Sequence, residues 1–151
     1  MPKEKIYLDT TILSAYFDER TPERQRLTIR FWEERIPDFE VFTSIIAMNE
    51  INDTPDRDRR SKLKKLARGL SVLPLTDEAD DLAQRYVIKG VFAEKFISDA
   101  THVSIAVVNR IGYLISWNFQ HLVRVKTRRE VNLVNSLLGY GPIEIIAPPE
   151  L

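Results

Sequence analysis

The sequence contains no cysteine, few glycines and no apolar run as long as a membrane span. Without cysteine, a disulfide framework, a thiolate nucleophile and a cysteine-based zinc site are all excluded. A membrane-spanning helix needs about 18 consecutive apolar residues, so we expect no membrane association. Residues 1–5 run directly into a strand pattern and leave no room for a signal peptide. We therefore expect a cytoplasmic protein.

The chain also lacks an excess of charge of either sign and a glycine-rich phosphate loop. Its 22 basic and 22 acidic residues give zero net charge. This balance argues against a protein that coats nucleic acid non-specifically, although it does not exclude a nuclease. Having only five glycines disfavours a nucleotide-binding enzyme. A length of 151 residues suits one sizeable core, and we predict a single domain over residues 1–151.

Short apolar segments alternate with amphipathic ones along the chain. Strand patterns cover residues 6–8, 41–43, 71–73, 112–116 and 143–146. Helix patterns cover residues 11–17, 22–35, a segment beginning at 44, and residues 57–70, 77–89, 96–110 and 127–138. Strands separated by helices favour a parallel sheet covered by helices on both faces. We therefore predict an α/β fold with three layers, α/β/α, around a central parallel sheet.

Four oxygen-bearing side chains stand at edges of the predicted core. Asp9 closes the first strand pattern and Asn118 follows the fourth, while Glu50 and Asp99 lie on helices. Ligands of open α/β sheets bind at the carboxyl ends of the strands. Three carboxylates and an amide meeting there would form an all-oxygen site, which a hard divalent cation such as Mg²⁺ selects.

Four ordered segments resemble the PIN domain, the fold of VapC-type toxin ribonucleases. They are Tyr7-Leu8-Asp9-Thr10-Thr11-Ile12-Leu13, the helical Glu50, Ser98-Asp99-Ala100-Thr101-His102, and Leu114-Ile115-Ser116-Trp117-Asn118-Phe119. Each segment alone is a weak signal, but the ordered set covers nearly the whole chain. The resemblance implies a PIN-like three-layer fold.

The resemblance also implies a metal-dependent endoribonuclease that uses Mg²⁺ or Mn²⁺. Asp9, Glu50 and Asp99 occupy the positions of three family carboxylates, and these three would hold the metal. Asn118 falls where many members have a fourth acid, and Ser116 falls at a hydroxyl position that is usually threonine. RNA would be the substrate, a cognate antitoxin is an implied partner, and a homodimer is the favoured assembly.

Each of these residues also has a purely structural interpretation. Asp9 could merely cap the helix that follows it, and Asp99 could favour a helix N-terminus through the dipole. Glu50 could be a solvated helix residue. Asn118 could terminate a strand and cap residues 119–122.

Further residues are weaker candidates for substrate contacts. Hydroxyl groups near the acids could hydrogen-bond a phosphate or a bound water, and a basic cluster beyond Asn118 could hold an RNA backbone. His102 could contact phosphate or orient Asp99, but a packed, hydrogen-bonded histidine is equally compatible with the sequence. The candidate substrate-binding residues are Thr10, Thr11, His102, Ser116, Arg124 and Lys126.

Two other functions remain open at this point. Asn118 is compatible with a PIN-like module that binds RNA or protein but has weak or no catalysis. A phosphate-handling hydrolase on a similar sheet is a third possibility. We expect hydrolysis of RNA by an activated water rather than through the 2′-hydroxyl, because the chain has two histidines but no evident acid–base pair.

Overall fold

The computed structural model describes residues 2–151, and its strands form one five-stranded parallel sheet in the order β3-β2-β1-β4-β5. The strands are β1 (Glu4–Leu8), β2 (Phe39–Ser44), β3 (Ser71–Leu73), β4 (Tyr113–Ile115) and β5 (Glu144–Ile146). The central strand β1 pairs with β2 on one side and with β4 on the other, so that Ile6 lies opposite Val41 and Tyr113.

Seven α-helices connect these strands within residues 2–151. They are α1 (Thr10–Tyr16), α2 (Pro22–Glu34), α3 (Ile45–Asn52), α4 (Arg57–Ala67), α5 (Asp77–Ile88), α6 (Ile97–Val108) and α7 (Val125–Leu138). With the sheet they form the predicted three-layer α/β/α fold. No helix in residues 2–151 has both the length and the apolar character needed to cross a bilayer.

The central strand shows that both faces of the sheet are covered. Ile6, Tyr7 and Leu8 are consecutive residues and point to alternate faces, yet each is completely buried. A continuous apolar run of this kind is typical of a parallel strand between two helical layers. The same packing places the polar residue that follows, Asp9, at the carboxyl end of a fully buried strand.

The chain order creates a crevice between β1 and β4. From β1 the chain proceeds outward to β2 and β3, and then returns to place β4 on the other side of β1. Such a reversal of strand order is the usual ligand site of an open parallel sheet. The two strand ends are joined there by a hydrogen bond from Asp9 N to the Ile115 carbonyl oxygen, 3.3 Å long.

Several predicted boundaries differ from those observed. β2 is longer than residues 41–43 because Glu4 and Lys5 extend β1 and pair with Phe39 and Glu40. The prediction of a helix to residue 70 was wrong by three residues, since α4 ends at Ala67 before the turn that leads into β3.

The segment after β4 and the starts of three helices also differ from or complete the predicted boundaries. The segment 119–122 forms turns rather than a helix. Helix α7 begins at Val125, two residues before the predicted start, without a side-chain cap. Thr76 caps α5, because Thr76 Oγ1 accepts the Ala79 N–H. Ser44 caps α3 in the same way through the Ile46 N–H.

Candidate active site

Asp9 is both the N-cap of α1 and a buried carboxylate at the crevice. Its Oδ1 accepts hydrogen bonds from Thr11 N at 3.1 Å and Thr11 Oγ1 at 2.5 Å, while Oδ2 accepts one from Ser116 Oγ at 2.6 Å. Burial raises the pKa of Asp9, and the charge of His102 and these hydrogen bonds lower it. The capping interpretation therefore describes one oxygen only, and burial prevails, so that the pKa of Asp9 is raised and its charged form is disfavoured.

Ser116 and Thr11 tie the ends of β1 and β4 together. Ser116 Oγ donates to Asp9 and accepts the Asn118 N–H at 2.9 Å. Thr11 Oγ1 also donates to Asp9 and accepts the Trp117 N–H at 2.9 Å. Each hydroxyl thus has a carboxylate on one side and a backbone amide on the other, which fixes the direction of its hydrogen. The predicted hydroxyl residues orient Asp9 in this structure.

Glu50 is held by a buried histidine. His102 Nε2 lies 2.8 Å from Glu50 Oε1, and Nδ1 lies 2.6 Å from the Tyr7 hydroxyl, which in turn is 2.7 Å from Ser44 Oγ. An ionised carboxylate only accepts hydrogen bonds, so Nε2 carries the hydrogen and donates to Glu50. His102 is 2% exposed. Both ring nitrogens therefore have hydrogen-bond partners. The geometry of His102 is that of a packed, hydrogen-bonded histidine.

One oxygen of Glu50 stays open. Ser98 Oγ donates to Oε1 at 3.2 Å, the same atom that His102 contacts. No hydrogen bond from residues 2–151 ends on Oε2. Burial raises the pKa of Glu50, but the hydrogen bonds and charge of His102, together with Ser98, leave this pKa below its ordinary value. Glu50 is therefore ionised at neutral pH and presents Oε2 outward.

Asp99 is the carboxylate with the least support. It lies in the first turn of α6, is half-buried, and accepts no hydrogen bond from residues 2–151. Burial raises its pKa; the charges of His102 and His121 lower it, and that of Glu50 raises it. The charge of Asp99 likewise raises the pKa of Asp9. Asp99 is thus close enough to both other acids for their charges to repel.

Asn118 uses its side-chain oxygen within its own turn. Its Oδ1 accepts the His121 N–H at 2.9 Å, and its backbone N–H donates to Ser116 Oγ. This is the local capping that Asn performs after strands and in turns. The structure brings Asn118 to the crevice through Ser116, with its carbonyl oxygen already engaged.

The remaining predicted residues lie either beside Asp9 or at the start of α7. Thr10 begins α1 beside Asp9, and its Oγ1 is buried without a hydrogen-bond partner in residues 2–151. Arg124 and Lys126 flank the start of α7, where Arg124 Nε donates to Thr127 Oγ1 at 2.8 Å and Lys126 is exposed. Helix α4 carries six basic residues, and one of them is structural, because Arg59 donates to the carbonyl oxygens of Phe17 and Ser14.

The donor chemistry of the crevice fits a divalent cation. Asp99 accepts no hydrogen bond and Glu50 Oε2 is open, so oxygen atoms are available and no soft ligand competes. Within residues 2–151, however, no three acidic or histidine side chains are already gathered around one ion position. Mg²⁺ needs only one or two direct carboxylates and keeps several waters. A pair of these acids therefore suffices.

Sequence reasoning missed Tyr7 as a functional residue. Tyr7 lies inside the apolar run of β1 and is completely buried, so nothing in its neighbourhood distinguishes it from a core residue. Its hydroxyl nevertheless bridges His102 and Ser44. Ser98 had a detectable signal, since it directly precedes Asp99.

Comparison with known proteins identifies the family. A sequence model of the PIN domain matches residues 6–120. The chain belongs to the PIN domain family. A search of curated proteins returned no match.

Solved structures with the same fold are VapC proteins and toxin–antitoxin complexes. Mycobacterium tuberculosis VapC20, a sarcin-ricin loop cleaving toxin, is 18% identical with a TM-score of 0.61, over 77% of this chain and 92% of that one. VapBC-1 from nontypeable Haemophilus influenzae is 13% identical with a TM-score of 0.61, over 96% of this PIN domain and 98% of that chain. A toxin–antitoxin complex from Klebsiella pneumoniae is 16% identical with a TM-score of 0.61, over 80% and 92% of the two chains.

Proposed function

We propose that this PIN domain is an endoribonuclease that hydrolyses RNA phosphodiester bonds with the help of Mg²⁺ or Mn²⁺. The observation that supports the proposal most is the meeting of Asp9, Glu50 and Asp99 at the crevice between β1 and β4. Burial and repulsion raise the pKa of Asp9 and of Asp99. A fold gains no stability from such an arrangement, and perturbed acids in a cleft are typical of functional sites.

The residues have separate tasks in this proposal. Asp9, Glu50 and Asp99 are the candidate ligands, of which one or two would contact the cation directly and the rest would act through its waters. When bound, a divalent cation supplies positive charge against the phosphate and activates water. Thr11 and Ser116 keep Asp9 oriented, and His102 keeps Glu50 in place. Thr10 Oγ1 is buried, and Thr10 lowers the pKa of Glu50, so its role here is to support that carboxylate.

We further propose that the protein is the toxin of a type II toxin–antitoxin pair and acts in the cytoplasm, as a homodimer of single-domain chains. The toxin–antitoxin neighbours support this role. One face of α7 supports a protein partner: Val125, Leu133 and Leu137 are 60%, 62% and 69% exposed. Large exposed apolar side chains that lie close together favour an interaction site, and an antitoxin would cover those of α7.

The products of the reaction test the chemistry. With Mn²⁺ and a labelled single-stranded RNA, we expect fragments with 5′-phosphate and 3′-hydroxyl ends, because water attacks the phosphorus directly. Single-stranded DNA should be cut weakly, since this route does not need the 2′-hydroxyl. Mass spectrometry identifies the ends. A parallel reaction in EDTA is the control, and 2′,3′-cyclic phosphate ends formed in EDTA would refute the proposal.

The second candidate function is a catalytically silent PIN module, and the geometry of Asn118 favours it. Its Oδ1 already accepts the His121 N–H, and as an amide the side chain contributes no charge. In this case RNA or a protein would bind without being cleaved. Failure to cut any RNA, with tight binding retained, would select this candidate.

Replacing Asn118 separates the two candidates. We expect Asn118→Asp to keep the bond to His121 N–H, to add a charge that strengthens Mn²⁺ binding, and to leave cleavage unchanged or faster. Asn118→Ala removes the turn bond, and a local cap is worth about 0.5–2 kcal/mol, so both stability and cleavage should decrease. Cleavage rates and thermal melts of both variants measure this. Full activity of the alanine variant would mean that Asn118 only shapes the turn.

A further inference from the structure

A second cavity lies beside the acidic crevice. It has a volume of about 590 Å³ and is enclosed by the end of α5, the segment 90–96 and the turn after β4. This volume is within the range of about 300–1,000 Å³ that small-molecule pockets show. Its polar lining residues are Glu94, Gln120, His121, Arg124 and Lys126, and Phe96 adds an aromatic ring.

The cavity shares residues with the edge of the acidic crevice. His121 lines it, and the His121 N–H donates to Asn118 Oδ1 at the end of β4. Phe96 lines it as well and directly precedes α6, which carries Asp99. The rings of Phe96 and His121 pack against each other with centroids 3.9 Å apart and planes 34° apart. This ring pair therefore connects the lining of the cavity to the segments that carry Asn118 and Asp99.

Positive charge dominates the cavity. Arg124 and Lys126 face a single acid, Glu94, and neither cation has an ion-pair partner within residues 2–151. The hydrogen bond from Arg124 Nε to Thr127 Oγ1 orients the arginine side chain and leaves its terminal nitrogens available. A third cation lies close by, since Lys95 Nζ is 5.1 Å from the centroid of the Phe96 ring. Cations next to aromatic rings are the usual components of single-stranded nucleic-acid sites.

We propose that this cavity binds the nucleotide next to the phosphodiester bond that is cleaved. Arg124 and Lys126 contact a phosphate of that nucleotide, and its base packs against the Phe96–His121 ring pair. The inference rests on the proposed ribonuclease function, because it assigns the acidic crevice to the scissile phosphate. It makes the substrate a single strand, since a base must leave its stack to reach the rings.

Binding can be measured without cleavage in the Asp99→Asn background. The probe is a fluorescein-labelled single-stranded RNA 12-mer, and its dissociation constant is obtained from anisotropy at several salt concentrations. Lys126→Gln removes the exposed cation of the cavity, and Lys64→Gln on α4 is its control. The double variant Phe96→Leu/His121→Leu removes the ring pair, and Phe119→Leu, an exposed ring after β4, is its control. Thermal melts confirm that each variant is folded.

The two cavity variants should lose different parts of the interaction. We expect Lys126→Gln to weaken binding and to reduce the slope of log K against log salt by about 0.7, the value for one phosphate contact in a single strand. We also use a series of RNAs in which a single abasic site is moved along the strand. At one position, the missing base should weaken wild-type binding about fivefold or more. The abasic site at that position should no longer weaken binding by the ring-pair variant, but it should still weaken binding by Phe119→Leu.

The outcomes separate this inference from the ribonuclease proposal. RNA cleavage together with unchanged binding and an unchanged salt slope in Lys126→Gln would refute the cavity and leave the ribonuclease intact. No cleavage by the wild type, with the cavity-dependent binding retained, would refute the ribonuclease and keep the cavity as an RNA site. An abasic effect lost in Phe119→Leu rather than in the ring-pair variant would place the base elsewhere and overturn the assignment.

Discussion

Replacing Asp99 with asparagine should abolish RNA cleavage and, in EDTA, raise the melting temperature. Asp99 is half-buried, accepts no hydrogen bond from residues 2–151 and is repelled by the charge of Glu50. The amide has the same shape but no charge, so the cost of burying the charge and the smaller repulsion by Glu50 both disappear without the loss of any hydrogen bond. Cleavage should decrease by more than about 100-fold, since even residues behind a metal ligand contribute about 10–100-fold.

The stability gain of Asp99→Asn should be small. For a protein of this size, about 1 kcal/mol shifts the melting temperature by roughly 2–4 °C, and solvent screens charges that are partly exposed. Mn²⁺ should stabilise the wild type, because a ligand that binds only the folded state shifts the equilibrium. The variant should lose most of this metal-dependent shift. Equal shifts in Mn²⁺ for wild type and variant would remove Asp99 from the metal site.

Burial of the two aspartates, with a smaller contribution from repulsion between the acids, gives a pH dependence with a definite sign. The pKa values of Asp9 and Asp99 are raised in the folded state, so between the ordinary aspartate pKa of about 3.9 and the raised folded values the folded state binds more protons than the unfolded state. The free energy of unfolding in EDTA therefore falls as pH increases through that window. Asp99→Asn should flatten this decrease, and melts over a pH series measure it.

Much of the fold could be predicted from the chain because its signals are local. Alternating apolar and amphipathic segments determine the order of strands and helices, and Asp9 directly follows the buried run 6–8. The caps Thr76 and Ser44 are residue types that favour helix N-termini. Strand lengths were harder, because Phe39 and Glu40 join β2 only through their pairing with the polar residues Glu4 and Lys5.

The contacts between site residues depend on distant parts of the chain. Asp9 meets Ser116 across 107 positions, and Tyr7 meets His102 across 95. The sequence indicates that such side chains reach the same edge of a sheet, but it does not indicate which atoms will bond. Tyr7 illustrates this limit most clearly, since a tyrosine in a buried strand is ordinarily a core residue whose hydroxyl needs some partner.

Replacing His102 should disconnect Glu50 from the protein core. His102 bridges the Glu50 carboxylate and the buried Tyr7 hydroxyl with contacts of 2.8 and 2.6 Å. Leucine at this position preserves much of the volume but leaves Glu50 without its buried donor, so Glu50 becomes mobile and its pKa returns toward the ordinary value. We expect His102→Leu to reduce both Mn²⁺ affinity and cleavage by about 10–100-fold, as removal of a residue behind a metal ligand does.

Two further variants separate positioning from stability. His102→Gln retains an N–H donor that can reach the Glu50 carboxylate, so it should recover part of the Mn²⁺ affinity that His102→Leu loses. Tyr7→Phe leaves the histidine in place but removes its buried partner, which should cost about 1–3 kcal/mol of stability and change Mn²⁺ affinity less. Titration calorimetry with Mn²⁺ measures the affinities and thermal melts measure the stabilities. Two results together would mean that His102 supports only the core. The first is equally weak Mn²⁺ binding by His102→Leu and His102→Gln, and the second is a loss of stability in Tyr7→Phe as large as in those two variants. If His102→Gln binds more tightly than His102→Leu at equal stability, the hydrogen bond to Glu50 is what the metal site requires of this histidine.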